Sequence, residues 1–546
     1  MAPVAIDEEP GYWPLIQAIS HVSAAAYLSY TVGRSLYQSH QALGPAQDTR
    51  HRIAQRSKLT TAFGSLAALG LVFAITSAWN HASLSYKVWA SERGIEVPTS
   101  LFGSHESSTN NATAASLQLR RWLRDTPVYM DALEIVAEKP RRQWWGQQSE
   151  LAKAAFTTLL AIEGRRRRIP HLWAYALLSI YVNLSFAQNL FYIALLLNPS
   201  ANLTRESSSP NILDQLFPQK SGNWCPRLPA LLAPLFLKYA ATVWLPYAAG
   251  TPRFATAATV NNILTLAPLV LPMIIPESWG TVHPDPHDAY RSITKLYNAM
   301  TMASALLHAR STVTSLYYNL PGSYKHRHSI KIPFDTEKRS KWERSATAIE
   351  KVLGSMADHP AVAAVGKDVL LCALSLGLWA AVRAVDVSKM IQSVSPIHTT
   401  PASPFGDAPM TTTQKFDHSV HEEPQKPTSA PSMSLRNRDL PARTIVPGIH
   451  TKEAADPLHH TPRRRGRPRK IKIEPEPGPG LEDQKGTTDD ETYEPSPKVK
   501  AEVGLGDVVP DDEFDWEPAS LAWALTALGG LGVGSAAVFG AECISR

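Results

Sequence analysis

Four side chains that can ligate metals or transfer protons lie close together in the chain: His283, Asp285, His287 and Asp288. Imidazole and carboxylate groups at this density bind divalent metals or act as acids and bases. The spacing His-x-x-x-His would place both imidazoles on one helix face, but Pro284 and Pro286 forbid a regular helix there. Two interpretations follow, a catalytic site and a rigid interfacial turn capped by Asp288, and the turn is favoured. No metal site is predicted.

A second polar set lies inside long apolar runs and comprises Lys238, Asn183, Gln188, Asn189, Asn261 and Asn262. Polar groups at membrane depth often line a substrate or ion path. They also form hydrogen bonds between helices, and a lysine there can snorkel towards the headgroups. The second interpretation, with Lys238 snorkelling, is the favoured one.

A basic decapeptide, residues 461–470, contains the core Arg465-Gly466-Arg467-Pro468. This core resembles the AT-hook of chromatin proteins, in which Arg-Gly-Arg lies along the minor groove of A·T-rich DNA. The resemblance implies that these four residues contact DNA, and the physical chemistry agrees. Glycine permits close backbone approach, a narrow groove attracts arginine, and the flanking cations meet phosphates. The alternative, a basic patch that binds anionic lipid headgroups or directs nuclear import, is the favoured interpretation.

The polar residues named above must be positioned by the apolar segments of the chain. A helix that spans a membrane needs about 20 mostly apolar residues. Five segments meet this criterion: 60–79, 171–197, 228–250, 254–276 and 519–540. Three others are weaker: 13–37, 293–318 and 369–382. We expect that 369–382 does not cross, because it is short and is bounded by Lys367 and Arg383. In the last segment, Gly530-x-x-x-Gly534 predicts close helix packing.

Composition divides the chain into three parts. Residues 1–385 are predicted to form a multi-helix membrane domain, and 519–546 a terminal transmembrane helix with a short tail. Residues 386–518 are rich in proline, hydroxyl and charged side chains and lack apolar periodicity. Such a segment cannot bury enough apolar surface to offset its ordering entropy, which predicts disorder. The predicted fold is therefore an all-α polytopic membrane protein.

Charge, cysteine usage and glycosylation sequons bear on the membrane topology of the chain. The formal net charge is +6 and the basic residues are clustered, as is usual beside membrane spans. Clusters before residue 60 and at 165–168 cannot both be cytoplasmic unless 151–163 also crosses, and the sequence leaves this open. Three scattered cysteines do not suit a disulfide framework. Asn111 and Asn202 lie in glycosylation sequons outside the apolar runs.

Several stretches, among them residues 143–148, 184–192, 278–290 and 514–517, are together similar to a family of multi-pass membrane proteins from filamentous ascomycete fungi. The resemblance extends over most of the chain, hook included, and brings no assigned activity. It implies a polytopic protein. Integral-membrane terpene cyclases of fungal secondary metabolism share only the general architecture of several helices with scattered polar groups.

Three function classes follow from these patterns. The leading prediction is a multi-pass protein of the endoplasmic reticulum or nuclear envelope that is not an enzyme and that contacts A·T-rich DNA weakly. The first alternative is a membrane-embedded enzyme acting on a lipophilic small molecule, such as a terpenoid. The second alternative is a transporter. No cofactor is indicated by any motif.

Overall fold

The computed structural model describes residues 12–42, 50–95, 118–198, 224–282, 286–327, 335–383, 387–394 and 515–544. All of them belong to one structural unit, which joins Met1–Pro401 to Pro495–Arg546. The hook residues 465–468, the sequons at Asn111 and Asn202, and most of the predicted disordered segment lie outside the described residues.

The described chain is helical almost throughout, which confirms the all-α prediction. The helices are α1 Trp13–Gln41, α2 Arg50–Glu92, α3 118–125, α4 Val128–Glu138, α5 Pro140–Leu159, α6 Leu172–Tyr181, α7 Leu184–Leu197, α8 Leu228–Ala248, α9 Phe254–Ile274, α10 Pro286–Asn319, α11 Lys341–Leu353, α12 Pro360–Arg383, α13 Val387–Val394, α14 Trp516–Gly529 and α15 Leu531–Ile544. Helix α5 continues through one π-turn, Leu160–Gly164.

Two small antiparallel ladders join helix ends. Strand β1 (Trp224–Pro226) pairs with β2 (Gly280–Val282), so the chain entering α8 is tied to the chain leaving α9. Strand β3 (Tyr324–Arg327) pairs with β4 (Asp335–Lys338) between α10 and α11. The first ladder fixes α8 and α9 as an antiparallel pair.

Four described helices are long and apolar enough to cross a membrane: Gln55–Glu92 within α2, and the whole of α8, α9 and α12. The first three bury only 22%, 28% and 33% of their most apolar stretch inside the protein. Segments 60–79, 228–250 and 254–276 are thus confirmed as long apolar helices. The weaker segments 13–37 and 293–318 also lie within long helices, α1 and α10.

We predicted that 369–382 does not cross because this segment is short, but the helix that contains it is longer. Helix α12 begins at Pro360, nine residues earlier, because alanine and valine extend the apolar run towards its N-terminus. Lys367 and Asp368 lie inside this helix rather than at its boundary. The helix is therefore long enough to cross, and the short length of 369–382 no longer argues against a crossing.

Two predicted spans are each broken into two helices. The segment 171–197 is interrupted at Val182 and Asn183, which leave helical geometry between α6 and α7. The segment 519–540 is interrupted at Gly530, whose φ of 81° and ψ of 167° are accessible essentially only to glycine. Each half of the C-terminal pair has 14 residues, or about 21 Å, too short to cross hydrocarbon alone.

The C-terminal pair is a helical hairpin and not a single terminal span. A Cβ atom placed on Gly534 would lie 3.4 Å from the carbonyl oxygen of Ala522, twelve residues earlier. A continuous helix would separate those residues by about 18 Å. The close packing predicted for Gly534 therefore occurs, but within the hairpin, while Gly530 forms its turn.

The edges of the predicted disordered segment are also ordered. Helix α13 occupies Val387–Val394, where Val387, Met390, Ile391 and Val394 repeat with helical spacing. Met390 is fully buried, and the Ser393 hydroxyl donates a hydrogen bond to the Ala537 carbonyl at 3.1 Å. At the other edge, α14 begins at Trp516, before residue 519. The predicted boundaries of 386 and 518 were therefore too wide at both ends.

Candidate functional site

Helix α5 is polar in sequence and yet mostly buried, an unusual combination. Its buried polar residues are Gln143, Gln147, Gln148, Ser149, Thr157 and Thr158. It packs against α4, α8, α9, α10, α12 and α15. Buried polar groups usually have hydrogen-bond partners. Thr157 and Thr158 donate to carbonyl groups of α5 itself, and Gln148 Oε1 accepts from the Leu531 amide of α15 at 3.3 Å. The buried amide nitrogens of Gln143 and Gln147 have no partner among the described residues.

Glu150 of α5 is the centre of the largest such network. Its Oε2 atom lies 2.6 Å from Nζ of Lys238 on α8, and its Oε1 atom lies 2.8 Å from Nζ of Lys153. The side-chain amide of Asn261 on α9 donates to Oε2 at 2.7 Å. One carboxylate thus holds three helices together through charge-assisted hydrogen bonds, which are the stronger kind.

Lys238 is held on all sides by this network. Besides Glu150, its Nζ donates to Asn261 Oδ1 at 2.8 Å and to the Asn261 carbonyl at 3.2 Å. The Thr242 hydroxyl donates to the same Asn261 Oδ1 at 3.0 Å. The Lys238 side chain is only 2% exposed. The predicted snorkelling is therefore wrong, because the ammonium group pairs with an interior carboxylate and does not extend towards the headgroups.

A second carboxylate, Asp368 of α12, complements the charge of this cluster. Asp368 interacts electrostatically with Lys153. Two carboxylates and two ammonium groups therefore share the interior of α5, α8 and α12. We call Glu150, Lys153, Lys238, Asn261 and Asp368 the charged centre.

Asp368 also connects the charged centre to the break between α6 and α7. Its two carboxylate oxygens accept hydrogen bonds from the backbone amides of Ser185, at 2.8 Å, and Leu184, at 3.2 Å. These amides are the positive, unsatisfied N-terminal end of α7. The Asn183 side chain caps the same end through Phe186 N, at 2.9 Å, and donates to the Gly70 carbonyl at 2.8 Å.

The other amides predicted from the apolar runs form hydrogen bonds within the bundle. Gln188 donates to the Ser375 hydroxyl at 3.2 Å, and Asn189 donates to the Ser185 carbonyl at 2.8 Å. Asn262 interacts with the Tyr129 side chain of α4. The favoured interpretation of hydrogen bonds between helices is therefore confirmed for Asn183 and Gln188. It is wrong for Asn189, whose hydrogen bond lies within α7.

A second ionic cluster lies at the C-terminal ends of α5, α12 and α15. Arg383 pairs with both carboxylate oxygens of Glu542, one of them at 3.2 Å. Glu163 of the π-turn pairs with Arg166 at 3.1 Å and Arg167 at 3.3 Å. Arg167 also donates to the Leu195 carbonyl at the end of α7, at 3.1 Å. Two arginines of the 165–168 run are therefore internal ion-pair partners, which weakens their use as a topology marker.

The structure does not describe the side chains of the sequence-predicted catalytic set. His283 and Asp285 lie outside the described residues. His287 and Asp288 fall in the first turn of α10, which begins at Pro286, and their side chains are not described. Within the described part of the chain, no group of three or more His, Cys, Asp or Glu could hold a metal ion.

Sequence reasoning missed Glu150, Lys153 and Asp368. The candidate segment 151–163 begins one residue after Glu150, and it includes Lys153 without a role assigned to it. Asp368 was excluded as the boundary of a short segment. A usable signal was present in α5, where the glutamines, Glu150 and Lys153 stand among residues that are otherwise small or apolar.

Comparisons with known proteins add no assignment, since no protein-family model, no curated protein and no solved structure matches this chain.

Proposed function

We propose that this chain is a multi-pass protein of the endoplasmic reticulum or the contiguous nuclear envelope, and that its charged centre carries protons during transport across that membrane. The observation that carries the proposal is the Glu150 carboxylate, held by Lys238 and Lys153 among helices whose outer surfaces are apolar. Ionisable groups enclosed by apolar helices serve in known membrane proteins as proton relays and ion sites.

The membrane location is supported by the surface of the candidate spans. Leu69, Val72 and Ile75 are exposed on one stretch of α2, and Phe236 and Leu237 on α8. Soluble monomers rarely expose contiguous apolar patches on this scale. Hydrocarbon as the outer solvent removes the unfavourable contact with water. Extraction of membranes with alkaline carbonate tests this: the full-length chain is expected in the pellet, and recovery in the supernatant would overturn the proposal.

The transport role is supported by the coupling between charge and helix contact. Lys238, Lys153 and the Asn261 amide all stabilise the ionised form of Glu150. Glu150 can therefore take up a proton only when the lysines move away from it, and that movement weakens the contact of α5 with α8 and α9. Asp368 links the centre to the interrupted α6–α7 pair, and discontinuous helices often surround ion or substrate sites in transporters. A proton bound at Glu150 thus biases the packing of the three helices.

A flux assay tests the transport role. Full-length protein in sealed vesicles, with a pH-sensitive dye inside and an imposed membrane potential, is expected to show proton flux above that of empty vesicles. Glu150→Gln should abolish this flux, since the amide cannot exchange a proton. Glu138→Gln, at an exposed carboxylate near α5, should leave it unchanged. Equal flux in Glu150→Gln and wild type would refute the role of Glu150, provided both variants reconstitute to the same level.

The predicted hook supports a second role, a weak contact of residues 461–470 with A·T-rich DNA. Binding of a peptide covering about 458–475 should weaken steeply with salt, with a slope of about −0.9 per phosphate neutralised. Arg465→Ala with Arg467→Ala should remove the preference for A·T over G·C duplexes, whereas Arg463→Ala should weaken both about equally. A wild-type peptide without A·T preference would leave a basic patch that suits anionic lipid headgroups.

The enzymatic alternative, acting on a lipophilic small molecule, rests on His283, Asp285, His287 and Asp288 together with the polar groups inside the apolar runs. Alanine at His283 and His287 separates it from the other two. Loss of a metabolite at normal protein level would favour the enzyme. Loss of the protein itself would favour the structural turn.

A further inference from the structure

An apolar groove of about 330 Å³ lies on the outer side of the bundle between α8 and α10. Phe236, Ala240 and Val243 line it from α8. Ala303, Leu306 and Leu307 line it from α10. Phe236 and Leu306 are exposed at its rims, so the groove opens outwards and not into the protein interior.

Tyr239 of α8 also lines the groove. The Tyr239 hydroxyl lies 3.1 Å from the Ser304 hydroxyl, and both side chains are buried. These two hydroxyl groups satisfy each other beneath the apolar walls. The groove itself therefore offers almost purely apolar contact, which suits a hydrocarbon chain.

A cation stands beyond one end of the groove. One turn past Val243, the Tyr247 hydroxyl accepts a hydrogen bond from the Arg310 guanidinium at 2.6 Å. Arg310 and Tyr247 are both exposed. Among the residues that the structure describes, no carboxylate forms an ion pair with Arg310. Its charge is therefore open to an anionic partner.

The position of this cation matches a membrane interface. Helix α8 ends at Ala248, one residue after Tyr247, and the chain turns through Gly250 to enter α9. Tyrosine at the end of a span is typical of the headgroup level. From Phe236 to Tyr247 the helix rises about 16 Å, half of a hydrocarbon core. An apolar slot of that length with a cation at its headgroup end has the shape and charge of one phospholipid acyl chain and its phosphate.

We infer that the α8–α10 groove is a binding site for an anionic phospholipid, with one acyl chain against Phe236, Ala240 and Leu306 and the headgroup phosphate on Arg310. The inference rests on the membrane location proposed above and is independent of the proton role. Arginine suits this position because its planar donors engage phosphate oxygens while a hydrogen bond to Tyr247 orients the group.

Native mass spectrometry of the full-length protein tests the site, with phosphatidylglycerol and phosphatidylcholine of identical acyl chains as the probes. Wild type is expected to retain phosphatidylglycerol about five-fold more tightly, as one basic residue near a headgroup allows. Arg310→Gln should bring the two affinities together without weakening phosphatidylcholine. Arg34→Gln, at an exposed arginine of α1, should leave the preference intact.

A second variant tests the apolar half of the site. Ala240→Trp places a large ring in the groove, so both lipids should bind more weakly while the thermal unfolding temperature is kept. Unchanged retention of phosphatidylglycerol in both Arg310→Gln and Ala240→Trp would overturn the site. Failure of the proton assay alone would leave the lipid result standing. Recovery of the chain in the carbonate supernatant would remove the basis of both proposals.

Discussion

Helices α2 and α5 invert the arrangement expected of a water-soluble bundle. Helix α2 is strongly apolar and is mostly exposed along its most apolar stretch, whereas α5 carries glutamines, Glu150 and Lys153 and is mostly buried. In water both arrangements would be unfavourable. Water would contact the apolar surface of α2, and the polar groups of α5 would lose their hydration. The difference is consistent if hydrocarbon surrounds the bundle and the charged groups pair with one another inside it. The polar interior therefore supplies specific contacts between helices that hydrocarbon cannot drive together.

The largest expected effect comes from breaking the polar interior at the second ionic cluster. Arg383→Met removes the partner that holds both oxygens of the buried Glu542. Removing one member of a buried pair costs about 3–5 kcal/mol when the other charge is left unpaired. Arg167 remains 3.6 Å from Glu542 Oε1, so we expect a loss at the lower end of this range. Thermal unfolding of the purified protein in detergent should show a large drop in midpoint.

An exposed pair provides the control for Arg383→Met. Arg93→Met removes the contact with Asp125, in which the arginine side chain is 40% exposed. Exposed pairs contribute about 0.2–1 kcal/mol. Similar losses in the two variants would contradict the contrast between a buried polar interior and a solvated surface.

The next effect concerns the turn that makes the C-terminal hairpin. Gly530→Ala forces a side chain into a conformation that costs about 1–3 kcal/mol. Its Cβ would also lie 2.5 Å from Nδ1 of His308. The unfolding midpoint should fall, and contacts between α14 and α15 should loosen.

Gly33→Ala is the matched control for the hairpin turn. Gly33 lies inside α1, and a Cβ there meets no atom within 4 Å. Alanine in a helix interior is favoured over glycine by about 0.5–1 kcal/mol, so this variant should be slightly more stable. If Gly530→Ala were equally harmless, α14 and α15 would form one continuous helix after all.

The same contrast explains how far the sequence could predict this structure. Segments 228–250 and 254–276 match α8 and α9 closely, because hydropathy reports the outer, apolar helices directly. The breaks at Asn183 and Gly530 were not predicted, because hydropathy averaged over a long segment does not reveal a single residue that leaves helical geometry.

The sequence did not predict the charged centre, for a different reason. Glu150 and Lys238 are separated by 88 residues in sequence and meet only once α5 is packed inside the bundle. Neither periodicity nor composition gives the pairing of such distant residues. Lys238 alone was visible as an unusual residue in an apolar run, and its partner was not.

The smallest expected effect lies at the border of the polar interior, on α4. Burial and the neighbouring Glu134 raise the pKa of Asp131 from its usual 3.8 to about 6. The folded state therefore holds a proton on this carboxyl that the unfolded state has already released. Between pH 3.8 and 6 the folded chain binds more protons, so stability falls as pH rises through this window.

Asp131→Asn removes the charge and should therefore be more stable than wild type at pH 7, with the difference disappearing near pH 4. Unfolding midpoints of both proteins across that range provide the measurement. Glu134→Gln should lower the pKa of Asp131 and move the transition to lower pH, since it removes the like charge and leaves the burial. A variant less stable than wild type at neutral pH would mean that ionised Asp131 has a favourable partner. Helix α4 would then belong to the polar interior and not to its border.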